Sequence, residues 1–266
     1  MGCSVSEYCN TFNKITNRTY PPSPPYFNGT YSNGKNWIAQ LISKINSERY
    51  RKQQRVQLDN YAYGGATTDN NIVHGYTNGM RLVPSVIEQI QMYKNQSETD
   101  DSQQVFVIWA GANDFLENNS LSYQTIVASL INCVKLLLSY NAKRILVFNE
   151  PPAQYSPQFR LTGSAQQQYI ANFINAGNQL LSNEITKLKN VNNCVVIADV
   201  YLVTNDMIMN PAKYGFENNT TNCLDQLVVC SSPDKYIFWD TIHYTTHTHE
   251  FIAQYIYEQL KQLKWI

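Results

Sequence analysis

The sequence predicts an α/β protein of three layers (α/β/α), with a doubly wound, mostly parallel sheet between two layers of helices. Three short apolar runs, residues 104–110, 144–149 and 194–200, are nearly continuous rather than alternating. Such runs are typical of parallel strands that helices cover on both faces. Longer segments with helical periodicity lie between the runs, and this alternation predicts right-handed strand–helix–strand units.

The apolar residues of each helical segment fall on one face, and helices are therefore predicted at 121–140, 164–189 and 249–264. A short strand is expected near residues 55–62. The stretch 20–36, rich in Pro and Tyr, is expected to be a surface loop. Because no internal repeat or domain boundary is visible, residues 1–266 are predicted to form a single domain.

The charge balance and the hydropathy argue against two classes of function. Lys plus Arg and Asp plus Glu number 20 each, so the formal net charge is zero. A nucleic-acid surface needs a basic surplus, and no nucleic-acid partner is therefore expected. No run of about 18 apolar residues occurs, so no transmembrane segment is expected, and no secretory signal peptide is visible. Nothing in the sequence indicates the oligomeric state.

Two of the six cysteines, Cys223 and Cys230, flank a short polar segment. A disulfide between them would close a local loop and imply an oxidising compartment, whereas two free thiols are the alternative. Cys133 and Cys194 lie in apolar periodic stretches and are expected to be core residues. Six Asn-x-Ser/Thr sequons, close to the number that chance gives, begin at Asn17, Asn28, Asn95, Asn118, Asn218 and Asn219.

In such sheets ligands bind beyond the carboxyl ends of the strands. Candidate catalytic residues lie in the loop after the strand at 104–110, in the loop after the expected strand near 55–62, and in the loop before the last helix. Asp240 and His243 are three residues apart, and a carboxylate beside an imidazole serves acyl-transfer chemistry. Asn113, at the end of a strand, could donate its amide to an oxyanion, although an Asx turn or a helix cap is the alternative. Gly64 and Gly65 allow close backbone approach to the same oxyanion, although an ordinary tight turn is the alternative.

A metal site is the competing interpretation of the histidines. His243 and His247 have helical i, i+4 spacing, and His249 is near them. No HExxH motif or carboxylate arrangement accompanies them, so no metal site is expected. His74 is expected to be a solvated loop residue.

The opening residues, MGCSVS, have two interpretations. Gly2, Cys3 and Ser6 match a lipidation signal, with Gly2 as the myristate site and Cys3 as the palmitate site, which would make the chain a peripheral membrane protein. Alternatively, the same residues form a nucleophile loop that contains Ser4.

Four sequence blocks carry a resemblance to a known family. The blocks NYAYGGATT, WAGANDF, NEPPAQYSP and DTIH resemble, in order and approximate spacing, those of the SGNH or GDSL-type esterases and lipases. The stretches PPSPPYFNGTYSNGKNW, PAKYGFENNTTNCL and PDKYIFWDTIH are similar to plant-type GDSL lipases and to thermolabile-haemolysin-like phospholipases. The resemblance covers nearly the whole chain, and it implies an SGNH-hydrolase fold, which is flavodoxin-like.

The resemblance also implies roles for individual residues. MGCSVSE aligns without a gap with the family's nucleophile block, so Ser4 would be the nucleophile, His243 the general base and Asp240 the group that orients it. The oxyanion would be held by the backbone amides of Ser4 and Gly65 and by the side chain of Asn113. Such an enzyme forms an acyl-enzyme on a small-molecule or lipid ester without a cofactor. Its location would be secreted or lumenal, the alternative being a cytoplasmic protein myristoylated at Gly2.

Two features depart from the family pattern. Cys3 stands where the family has Asp, and the apolar first strand that normally precedes the block is not seen before Met1. We therefore expect the first central strand to be missing or truncated and the chain to be an N-terminally incomplete secreted esterase. A catalytically inactive or truncated SGNH-like binding protein is the alternative.

Overall fold

Strands and helices alternate along most of the chain. The computed structural model describes residues 1–49, 55–96, 104–188 and 194–266. The helices are α1 (Trp37–Arg49), α2 (Val86–Gln96), α3 (Ala112–Glu117), α4 (Tyr123–Ser139), α5 (Pro157–Arg160), α6 (Ser164–Leu188), α7 (Val200–Met209) and α8 (Thr246–Gln262). The strands are β1 (Tyr76–Thr77), β2 (Arg81–Leu82), β3 (Val105–Ile108), β4 (Arg144–Phe148), β5 (Cys194–Ala198), β6 (Asn218–Asn222), β7 (Leu224–Asp225), β8 (Val228–Val229) and β9 (Tyr236–Phe238). Short helical turns are Thr11–Ile15, Ala153–Tyr155, Pro211–Tyr214 and Pro233–Lys235.

The three predicted apolar runs form a parallel sheet in the order β3-β4-β5. In its register, Val105 lies beside Arg144, which lies beside Cys194. Ile145 and Val147 in the central strand are completely buried. Both faces of this strand are covered, which explains why its sequence is a continuous apolar run.

Helices cover both faces of the sheet and complete the three predicted layers. One face packs against α1, α7 and α8, with Trp37, Phe148 and Ile256 in the shared core. The other face packs against α2, α4 and α6, with Ile90 and Val134 in the core. The predicted α/β/α arrangement around a parallel sheet is therefore confirmed. Among the described residues, no helix is long and apolar enough to span a membrane.

The last helix begins earlier than its apolar pattern predicts. Thr245 accepts a hydrogen bond from the backbone N–H of Thr248, so α8 begins at Thr246 rather than at 249. A side chain that caps the first turn determines where a helix begins, and the apolar face extends only over the turns that pack. For α6, the predicted end at 189 lies outside the described residues.

The prediction of a short strand near 55–62 is wrong. Side chains form hydrogen bonds with backbone groups that a strand would use for pairing. The side chain of Asn60 accepts from the N–H of Ala62 and donates to the carbonyl of Ser6. Asn46 likewise bonds both backbone groups of Val56. Asn side chains compete with secondary structure in this way.

Residues 1–3 lie beside β3, at the place expected for the first central strand. The N–H of Trp109 donates to Met1 O at 3.3 Å, and the N–H of Cys3 donates to Trp109 O at 3.2 Å. On the other side, Gly2 O accepts from the N–H of Tyr63 at 3.1 Å. Residues 1–3 therefore lie between β3 and the segment that ends at Tyr63, and Ser4 follows at the carboxyl edge of the sheet.

Candidate active site

Ser4 is placed by a tight backbone approach just before it. Gly2 has φ +150, and a Cβ there would overlap the carbonyl oxygen of Trp109. The N–H of Gly2 donates to the buried side chain of Gln89 at 2.7 Å. A glycine is therefore required two residues before Ser4. Gly2 is buried in this fold, so a myristoyl chain on its nitrogen would lie inside the protein rather than reach a membrane, which argues against the lipid-anchor alternative.

Asp240, His243 and Ser4 form a continuous series of hydrogen bonds. His243 Nδ1 lies 2.7 Å from Asp240 Oδ2, and His243 Nε2 lies 2.8 Å from Ser4 Oγ. The loop after β9 fixes this geometry, because Asp240 Oδ1 accepts the backbone N–H groups of Ile242 at 2.9 Å and of His243 at 2.7 Å. The structure thus brings the three sequence-predicted residues together. The arrangement has the geometry of a nucleophile, a base and a carboxylate that orients the base.

Asp240 is held in its charged form. Burial by itself would raise the pKa of this carboxyl, but the facing imidazole and the two backbone N–H groups outweigh burial and lower the pKa to about 2. The hydroxyl of Tyr26 also donates to Asp240 Oδ2 at 2.8 Å. A charged carboxylate is therefore present beside His243 across the physiological pH range.

Two tyrosines at this site were not predicted from the sequence. Tyr26 contacts Asp240, and the ring of Tyr31 lies 5.0 Å from that of His243. Tyr31 is buried and its hydroxyl bonds to Thr77. Both belong to the stretch 20–36, so the prediction that this stretch is a surface loop is wrong for its middle part. The one available signal was its Tyr content, which alone does not say where the rings pack.

Gly65 and Asn113 lie on two segments that are joined to each other. Asn113 Nδ2 donates to Ala66 O at 2.9 Å, which leaves its second N–H for another acceptor. Gly65 has φ +83, and a Cβ there would overlap the carbonyl oxygen of Tyr76. Within the described residues, the backbone amides of Ser4 and Gly65 donate to no other protein group. Unused N–H groups beside a nucleophile are what an oxyanion site needs.

A buried carboxyl joins these two segments. Asp114, which follows Asn113, accepts hydrogen bonds from both the backbone N–H and the hydroxyl of Thr68. Burial raises the pKa of Asp114 to about 6, although the bonds from Thr68 act in the opposite direction. Asp114 therefore fixes α3 to the segment that carries Gly65, and the distance between the candidate oxyanion donors depends on it.

Within the described residues, the remaining histidines make no hydrogen bond to Ser4, Asp240 or His243. His249 is buried against Tyr244, and burial lowers its pKa to about 3. His247 lies 3.5 Å from Glu250, and His74 is exposed. In the parts of the chain that the structure describes, no group of three or more His, Cys, Asp or Glu residues could hold a metal ion.

The cysteines fall into two groups. Cys223 and Cys230 are bonded, with their Cα atoms 5.0 Å apart, so the predicted disulfide is confirmed. Cys133 is buried as predicted, whereas Cys194 is only partly buried. Cys3 is also buried, and burial raises the pKa of its thiol to about 12. Cys3 thus remains a neutral thiol beside Ser4 and is unsuited to act as a nucleophile itself.

Comparison with known proteins identifies the family. Residues 4–256 match the family model described as GDSL-like lipase/acylhydrolase, and the chain belongs to this family. It is 24% identical to a thermolabile hemolysin of Vibrio parahaemolyticus, over 99% of this chain and 63% of that protein. It is 30% identical to the GDSL esterase/lipase At1g74460 of Arabidopsis thaliana, over 56% of this chain and 48% of that protein. The chain thus spans less than two thirds of the length of each relative.

Solved structures share the fold. A member of the lipolytic protein G-D-S-L family from Veillonella parvula matches with a TM-score of 0.56 at 13% identity, over 98% of this chain and 96% of that chain. A carbohydrate esterase of family 3 from Talaromyces cellulolyticus matches with a TM-score of 0.52 at 14% identity, over 86% of this chain and 91% of that chain. At these identities the likeness concerns the fold alone.

Proposed function

We propose that the chain is a serine hydrolase that cleaves carboxylic esters through an acyl-enzyme on Ser4. The observation that carries this proposal is the series Asp240–His243–Ser4, with separations of 2.7 and 2.8 Å. Membership of the GDSL-like lipase/acylhydrolase family supports it. Further relatives are described as an acetylesterase of Thermothelomyces thermophilus and a phosphatidylcholine-sterol acyltransferase of Aeromonas hydrophila, and both names refer to acyl-group chemistry.

In the first step, Ser4 Oγ attacks the carbonyl carbon of the ester. His243 Nε2 accepts the proton of the hydroxyl as the new C–O bond forms, and the ring becomes an imidazolium. The carboxylate of Asp240 stabilises that charge, and its hydrogen bond to Nδ1 keeps Nε2 free to accept the proton.

The carbonyl oxygen becomes negatively charged in this step. We assign its stabilisation to the backbone amides of Ser4 and Gly65 and to the Asn113 side chain, each of which has an N–H to spare. Fixed donors of this kind are already oriented before the charge develops, so little reorganisation is needed.

The tetrahedral intermediate then breaks down. The imidazolium of His243 gives its proton to the leaving alcohol, and the acyl group stays on Ser4 Oγ. Water, deprotonated by the same ring, attacks the carbonyl carbon of the acyl-enzyme. As the bond between that carbon and Ser4 Oγ breaks, the imidazolium returns the proton to Ser4 Oγ, and the carboxylic acid is released. An alcohol in place of water would give acyl transfer. The His243 ring carries each proton that is transferred in this scheme, and neither a metal nor a cofactor is used.

We also propose a secreted or lumenal location, because the Cys223–Cys230 disulfide is of the kind that persists in oxidising compartments. Residues 1–266 are proposed to act as a single hydrolase domain. The expectation that the first central strand is missing or truncated stays a prediction.

The proposal is tested by active-site labelling and turnover. A fluorophosphonate probe should label the purified chain at Ser4, as located by peptide mass spectrometry, and the chain should hydrolyse p-nitrophenyl esters. Ser4→Ala should lose both labelling and hydrolysis. Ser43→Ala, which removes an exposed hydroxyl from α1, is the matched control and should keep both. A folded wild-type chain that neither reacts with the probe nor turns over would instead support the non-catalytic binding protein.

A further inference from the structure

An apolar cavity lies between the sheet and helices α4 and α6. Its lining is almost entirely apolar and includes Phe115, Ile126, Ile174 and Gly177. The cavity has a volume of about 100 Å³. At about 30 Å³ for each water-sized group, it has room for about three to four such groups. A methylene group is slightly smaller than a water molecule, so the cavity has room for an alkyl chain of about three to four carbons.

The cavity adjoins both parts of the proposed catalytic site. Gly111 and Ala112 are in its lining and immediately precede Asn113. Ile242 is also in its lining and immediately precedes His243. An ester whose carbonyl oxygen faces Asn113 would therefore have its acyl chain at the cavity.

The polar groups of the lining do not suit a polar ligand. The side chain of Asn178 is fully used by the backbone of Glu150, donating to its carbonyl at 2.8 Å and accepting from its N–H at 2.9 Å. Glu150 Oε1 is inaccessible to solvent, lies against Gly111 and makes no hydrogen bond within the described residues. When this carboxyl is ionised, it disfavours a phosphate or another anion in the cavity. The lining therefore fits an uncharged aliphatic chain.

Gly177 keeps part of this space open. It lies in the middle of α6, where glycine is less favourable than alanine, because glycine loses more conformational freedom on folding. A Cβ at this position would meet one atom, Cβ of Tyr123, at an ordinary contact distance of 3.5 Å. Helix stability and local packing would thus both accept a larger residue, and such a residue would extend along the wall of the cavity.

We propose that this cavity binds the alkyl part of the acyl group, that Gly177 determines its depth, and that the preferred substrates are esters of short-chain fatty acids of about four to five carbons. The proposal rests on the proposed function, because it assigns the acyl side of the same ester.

The test is a series of p-nitrophenyl esters from C2 to C16, assayed with the wild-type chain. Each added methylene should raise kcat/KM by up to about fourfold, until the cavity is full near C4 to C5, after which kcat/KM should fall. Gly177→Leu adds four carbons, about as many as the cavity holds, so the ratio of kcat/KM for C4 to that for C2 should fall by about tenfold or more. Gly177→Ala should shorten the optimum by about one carbon. Gln179→Leu, on the exposed face of the same helix, is the matched control and should keep the wild-type profile.

A binding measurement separates this proposal from the proposed function. Pentanamide, which carries no charge, should bind to the Ser4→Ala protein in calorimetry, and the affinity should fall at least about tenfold when Gly177→Leu is added. This result would support the chain-binding cavity even if the labelling experiment placed the nucleophile elsewhere. A wild-type chain that hydrolyses the C2 ester best, with a profile that Gly177→Leu does not change, would overturn the proposal and leave ester hydrolysis intact.

Discussion

Replacing Asp240 with Asn changes the charge beside the base with almost no change in shape. Asp240 Oδ1 accepts two backbone N–H groups, from Ile242 and His243. Asp240 Oδ2 faces His243 Nδ1 at 2.7 Å and the hydroxyl of Tyr26 at 2.8 Å. Because two donors already point at the Oδ1 position, the amide nitrogen of Asn must take the Oδ2 position.

This orientation reverses the hydrogen bonding of the ring. The new amide donates to His243 Nδ1, so the proton of the neutral ring moves to Nε2. Nε2 then donates to Ser4 Oγ and can no longer accept its proton. The anion that stabilises the imidazolium is lost as well. The wrong tautomer and the lost charge together predict a decrease in kcat of about 10⁴, which corresponds to about 5 kcal/mol.

The assay is kcat for a p-nitrophenyl ester at pH 7–8, with thermal unfolding as the check that Asp240→Asn is folded. Asp206→Asn is the matched control, because Asp206 pairs with Lys213 at the surface and should leave kcat within about twofold. A decrease of less than tenfold in folded Asp240→Asn would refute the assignment of Asp240 as the residue that orients His243.

Three further predictions concern the oxyanion donors, the disulfide and a buried acid. Asn113→Ala should lower kcat by about 10²–10³ with the fold retained by circular dichroism, and an unchanged kcat would remove Asn113 from the proposed site. Replacing Cys223 and Cys230 with Ser opens a loop with a sequence separation of 7, which should lower the free energy of unfolding by about 2.5 kcal/mol in urea titrations; equal midpoints would contradict this. Burial raises the pKa of Glu7 to about 8 from 4.5, so the native state keeps a proton that the unfolded chain releases. The resulting stability is complete below about pH 4.5 and is lost as the pH rises through 8. In the wild-type chain, the free energy of unfolding should therefore decrease between pH 5 and 8, and Glu7→Gln should reduce this slope by up to about 1.4 kcal/mol per pH unit. An unchanged slope would show that Glu7 does not hold this proton.

The strands and most of the helices could be predicted because their signals are local. The three apolar runs become β3, β4 and β5 since burial on both faces demands an unbroken apolar sequence. The segment 55–62 fails for the opposite reason. Whether this segment pairs with a strand depends on where the side chains of Asn46 and Asn60 point, and the periodicity of the sequence carries no information about that.

By itself, the sequence determined the local parts of the candidate site, namely the Asp240–His243 spacing and the glycines that lie two residues before Ser4 and directly before Ala66. It left the Cys223–Cys230 disulfide open against two free thiols, and the structure decided for the disulfide. The series Asp240–His243–Ser4 joins positions 239 residues apart, and the sequence supplied this combination through the family resemblance rather than through spacing. Only the tertiary structure decided that Tyr26 bonds Asp240 across 214 residues, that Tyr31 packs on His243, and that an apolar cavity lies between the sheet and helices α4 and α6. The physical reason is that short-range patterns report backbone preference and burial, whereas contacts between distant segments depend on how complete side-chain surfaces pack.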